Sequence, residues 1–93
     1  MHARVTTISG SPADADAGIE NFRANVVPWA RDGAILLIDR ESGEAMAITL
    51  WNDEAAMRAS EEAANALRAD AAGQLGATQA PSIRRYEVAV FEV

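Results

Sequence analysis

Ala45-Met46-Ala47-Ile48-Thr49-Leu50-Trp51-Asn52-Asp53-Glu54-Ala55-Ala56-Met57 decides how this chain folds. Met46, Ile48 and Leu50 alternate with Ala45, Ala47, Thr49 and Trp51, so a strand here is apolar on both faces. Asn52 and Asp53 then offer a helix cap, followed at once by helix-forming residues. A strand that is greasy on both sides needs cover on both sides. A chain of 93 residues has few elements with which to provide it.

Upstream, Glu41-Ser42-Gly43-Glu44 reads as a tight hairpin turn, with Gly43 supplying the positive φ. Ala34-Ile35-Leu36-Leu37-Ile38 before it is a second apolar strand, and so short a link makes the two strands antiparallel. Farther back, Ser11 caps a helix with Pro12 at its first position, and Ala15, Ile19, Phe22, Val26 and Trp29 form its apolar stripe. Pro28 ends or kinks that helix. Ala3 to Ser9 precede it as the first strand. Downstream of Asp53, the second helix carries Ala56, Ser60, Ala63, Leu67 and Ala71 on one stripe, with Met57 and Ala64 beside it, and stops at Gly73 or Gly76. Pro81 leads into a last strand, Ile83 to Val93. The order is β-α-β-β-α-β: one α+β domain over residues 1–93, ferredoxin-like, with four antiparallel strands and two helices on one face.

Two helices cover only one face of that sheet. Ala34, Leu36 and Ile38 lie on one face and Ile35 and Leu37 on the other, and whichever face stays open exposes a patch larger than a soluble monomer usually tolerates. The last strand is also longer than its neighbours and apolar to its end, which invites pairing with a second chain. A two-fold homodimer is the expected partner arrangement.

Composition removes several function classes. With no cysteine there is no disulfide framework and no thiolate chemistry, and with every basic residue an arginine there is no Schiff-base lysine. A net charge of −6 and a single adjacent basic pair, Arg84-Arg85, argue against a nucleic-acid partner. No apolar run is long enough for a membrane span, and the first residues lack a signal-like apolar core, so a cytoplasmic location is expected. His2 is the sole histidine, so neither a metal site nor a cofactor is expected.

Several segments together resemble the dimeric α+β barrel superfamily, in particular small proteins similar to antibiotic-biosynthesis monooxygenases. They are Ala3-Arg4-Val5-Thr6-Thr7, Phe22-Arg23 through Val27-Pro28, Leu37 through Gly43, Ile48-Thr49-Leu50-Trp51, Ala59 through Ala63, and Arg85-Tyr86-Glu87-Val88. The resemblance implies a ferredoxin-like protomer that dimerises into an α+β barrel. It also implies either a cofactor-independent oxygenation of phenols or a role without an assigned reaction. Only Ala30-Arg31-Asp32-Gly33 stands where such proteins carry a longer segment that helps wall the pocket. The haem-degrading branch uses a histidine on the second helix and an asparagine on the first strand, and neither occurs here.

Trp51 matches a residue type used in the active sites of that group. Its alternative role is packing, with its N–H bonded to a neighbouring acceptor. Ala45, Ala47 and Thr49 share its strand face, and if the helices lie over that face its small side chains leave a hollow suited to a small hydrophobic or aromatic molecule. The candidate ligand contacts are Trp51, Thr49, Phe22 and Ser60, while Glu61-Glu62 and Asp39-Arg40-Glu41 read as solvated charge. Whether the chain is an enzyme stays open at this level. A non-catalytic interaction module is the other alternative to a phenol monooxygenase.

Overall fold

The computed structural model describes residues 1–93. Strand β1 (His2–Ser9) leads through a 3-10 turn at Pro12–Asp14 into helix α1 (Ala15–Asn21), which continues as a π-helical turn at Phe22–Val26. Strands β2 (Ala34–Ile38) and β3 (Glu44–Trp51) form the hairpin; helices α2 (Glu54–Ala59) and α3 (Glu61–Gln74) follow, then strand β4 (Ser82–Glu87). The sheet order is β2-β3-β1-β4 with every pairing antiparallel, the ferredoxin-like arrangement expected. No helix is long and apolar enough to cross a membrane.

Local chemistry accounts for most boundaries. Gly43 has φ +83°, and a Cβ there would lie 2.6 Å from the carbonyl oxygen of Gly10 and from the backbone of Ser11 and Pro12. The hairpin therefore needs glycine twice over, for its left-handed turn and for the close approach of the β1–α1 loop. Asp39 completes the turn by accepting the backbone N–H groups of Glu41 and Ser42, which holds its carboxyl below the ordinary range. Asp53 caps α2 by accepting the N–H of Ala56 at 2.7 Å. Ser11, by contrast, makes no side-chain cap. Asp14 occupies the N-cap position of α1 after Pro12 has opened a 3-10 turn.

Two further boundaries depart from expectation. The second helix is broken at Ser60, whose φ −88° and ψ −3° end α2 and start α3. Its buried positions are Met57 and Ala64, whereas Ala63 is exposed. The last strand stops pairing at Glu87, not Val93, because β1 runs out: Glu87 lies opposite His2, and the final bond is Val88 N–H to the Met1 carbonyl. Residues 88–93 have no strand beside them within this chain, and Val90 and Phe91 are exposed.

Alternation sorts the sheet into two faces. Arg4, Thr6 and Ile8 of β1 share the helix-covered side with Ala45, Ala47 and Thr49 of β3. Ile8, Ala45 and Leu75 pack at its tightest point, surrounded by Leu36, Ile38, Ala71 and Ala77. Gly18 lets α1 settle against Leu75, since a Cβ would collide with that side chain. On the uncovered side, Ile35, Leu37 and Tyr86 face outward.

Candidate ligand-binding site

The covered face is not filled to its middle. Arg4 stands opposite Thr49 and Thr6 opposite Ala47 in the β1–β3 register, so three small side chains occupy the centre of the floor. Phe22, Val26 and Trp29 come down from the first helical segment, and Ala64, Leu67, Arg68 and Ala71 from α3. Between floor and roof lies a pocket with about 50 Å³ in which the centre of a water molecule can sit, enough for roughly three or four waters. Eight of its twelve lining residues are hydrophobic. Its charged members are both cationic, Arg4 and Arg68, and no acid lines it.

Arg4 organises one end. Its side chain is 2% exposed. One terminal nitrogen, Nη2, donates to the Met57 carbonyl at 2.8 Å and to Ser60 Oγ at 3.0 Å, and lies 3.0 Å from Glu61 Oε1. Ser60 Oγ in turn donates to the Met57 carbonyl at 2.6 Å. The break between α2 and α3 therefore supplies the carbonyl, the hydroxyl and the carboxylate that hold one edge of the guanidinium. The Arg4 guanidinium carbon lies over the Trp51 ring, 5.4 Å from the ring centre and within cation–π range.

Glu61 is shared. Arg85 of β4 grips both its oxygens, at 2.7 and 2.8 Å. That fork and, after it, the contact with Arg4 hold the Glu61 carboxyl at about 2, against an ordinary 4.5. The same bond raises Arg85 above the usual arginine value. Glu61 is thus a structural anchor rather than solvated charge.

Arg68 lies across the pocket, donating Nη1 to Asn65 Oδ1 at 2.6 Å. Burial, and next the positive charge of Arg4, pull it below the usual arginine value. Four guanidinium nitrogens at the two residues are buried with no partner: Nε and Nη1 of Arg4, and Nε and Nη2 of Arg68.

The four sequence-derived candidates separate into two pairs. Thr49 and Phe22 line the pocket. Trp51 sits one layer behind, edge-on to Trp29 with 5.1 Å between ring centres, and its Nε1–H donates to Thr49 Oγ1 at 3.0 Å. Ser60 reaches the site only through Arg4. Asn21 and Asn25 bond to each other on the surface. His2 lies beside Glu54 at 3.9 Å, and no three metal-ligating side chains converge anywhere.

Arg4, Arg68 and Trp29 complete the pocket lining, and none of the three stands among the sequence-derived candidates. A signal existed for each arginine. Arg68 falls four residues after Ala64 and three before Ala71, on the apolar stripe. Arg4 belongs to the first strand, which a ferredoxin-like order places at the sheet centre, where a charge is out of place.

No known family model matches the chain. The uncharacterized protein Rv2557 of Mycobacterium tuberculosis is 36% identical over 96 residues, which cover 98% of this chain and 42% of the relative. A second protein of that organism, Rv2558, is 39% identical over 77 residues, covering 77% of this chain and 33% of the relative. The chain therefore spans less than half the length of the curated relatives it matches. Among solved structures, it superposes on the ActVA-Orf6 monooxygenase of Streptomyces coelicolor, determined in complex with nanaomycin D, with a TM-score of 0.73 at 17% identity. That match covers 99% of this chain and 92% of the other. In architecture, then, this chain shares the α+β fold of that monooxygenase.

Proposed function

We propose that this chain is a homodimeric α+β barrel protein, similar to the antibiotic-biosynthesis monooxygenases, that binds a small and largely apolar molecule in the pocket between sheet and helices. The observation that carries the reading is the pocket itself: a mostly hydrophobic lining with a few convergent polar groups, the usual make-up of a small-molecule site. The second subunit belongs on the open sheet face. Ile35 and Leu37 stand exposed there, and residues 89–93 run on from β4 with no strand beside them and with Val90 and Phe91 exposed, an edge that a second chain can pair. Sedimentation equilibrium tests the assembly. A stable ten-kilodalton species at micromolar concentration rules out the dimer. Quenching of tryptophan fluorescence by small aromatic molecules tests the pocket, because Trp29 lines it. No response across a broad panel counts against binding.

A second reading is oxygenation of a phenol without a cofactor. Its support is the fold shared with a monooxygenase captured with nanaomycin D. In that reaction one atom of O2 enters the ring to give a quinone. The other leaves as water, with its electrons supplied by the phenol. Oxygen uptake on adding phenolic compounds to the pure protein checks it, and uptake no faster than in buffer removes it.

A further inference from the structure

We infer that the molecule held in this pocket is an organic anion, specifically a small monocarboxylate with an apolar body, bound by Arg68 with Arg4 beside it. The inference rests on the small-molecule reading above and adds the ligand's charge and head group.

Three observations converge on it. First, the chain carries a net charge of −6, yet both charged residues lining the pocket are arginines. Around them, Arg4 and Arg85 share one carboxylate, Glu61, which lies outside the lining, while Arg68 bonds only to the neutral Asn65. Buried positive charge without a counter-charge is costly, and an anion in the pocket relieves it. Second, the four buried and unpartnered guanidinium nitrogens belong to these two residues, and Arg4 is almost fully buried. Third, the free nitrogens of Arg68, Nε and Nη2, form the edge of a guanidinium that offers two parallel N–H donors. Asn65 occupies only the remaining nitrogen. That edge matches the two oxygens of a carboxylate, the pairing for which arginine is best suited. The rest of the lining, including Phe22, Val26 and Leu67, is apolar and receives a ring or a short alkyl chain. Arg4, fixed by Met57, Ser60 and Glu61, adds positive potential at a set position without having to reorganise.

The test titrates the intact protein by calorimetry with benzoate, propionate and butyrate, and with benzamide, propanamide, butanamide and phenol as neutral counterparts. The expected result is that at least one acid binds about tenfold or more tightly than its amide, and benzoate more tightly than phenol. Arg68→Gln should erase that preference by weakening the acids far more than their amides. Arg68→Lys, which keeps the charge but loses the fork, should retain only part of it and serves if the glutamine variant does not fold. Acids and amides binding equally, or a preference surviving in both variants, overturns the charge assignment and leaves the small-molecule reading standing. Binding of neither set overturns both.

Discussion

The two faces of this sheet invert the usual order of a small domain. Beneath the helices, on the central strand, lies Arg4 with its side chain 2% exposed; on the open side Leu37 is 51% exposed. A charge is buried within an otherwise apolar interior, while large apolar side chains stand outside. A charge is kept in the interior at a desolvation cost that a mere core would avoid, since a hydrophobic residue of similar volume is often neutral or better there. An apolar face left open costs solubility unless something covers it. Under the proposed function, the covered face holds the ligand site and the open face receives the partner.

The contrast breaks most directly on the open face. Leu37→Glu places a charge on a surface that a dimer would bury, and should raise the dimer dissociation constant by about a hundredfold, or about 2.7 kcal/mol. Sedimentation of the variant beside the parent protein measures it. Unchanged association at every concentration would mean that the open face is not the interface. Because Leu37 is half exposed in one subunit, the substitution costs the isolated protomer little.

On the covered face the expected effect is smaller and depends on pH. Glu61 has its carboxyl held at about 2 in the folded protein and near 4.5 when free of its partners. The unfolded chain therefore takes up this proton first as acid is added. The stability that Glu61 contributes is complete above about pH 4.5 and is lost as the pH falls toward 2. Allowing for solvent at this partly exposed group, that contribution is about 1–2 kcal/mol. Urea unfolding of Glu61→Gln should show that loss at pH 7 and little difference from the parent at pH 2. Equal stabilities at pH 7 would show that Arg4 and Arg85 do not depend on this carboxylate.

The mildest change is Trp51→Phe. It removes the hydrogen bond to Thr49 and weakens the ring's attraction for Arg4, together costing about 1 kcal/mol in thermal or urea unfolding. Since Trp51 stands behind Trp29, ligand affinity should change far less than stability. The opposite ranking would place Trp51 in direct contact with the ligand.

Much of the fold could be read along the chain because its determinants are local. Asp53 caps the helix that follows it, Gly43 turns the hairpin, and the double alternation of Met46 to Trp51 marks a strand wanted on both faces. The site was only half legible. Thr49 and Phe22 line the pocket, where alternation and helical spacing put them, whereas Trp51 and Ser60 lie one layer away. Glu61 looked solvated because its partners, Arg4 and Arg85, are remote in sequence.

What the sequence alone determined is the element order, the strand faces and the surplus of apolar surface, since periodicity and turn chemistry act over a few residues. What only the tertiary structure decided is the meeting of Arg4, 53 residues before Met57 in the chain, with the α2–α3 break and with Arg68. The reach of β4 was decided in the same way, by where β1 ends. Such contacts depend on register and on the packing of helices over a sheet, and no local signal encodes where a long side chain arrives once those are set.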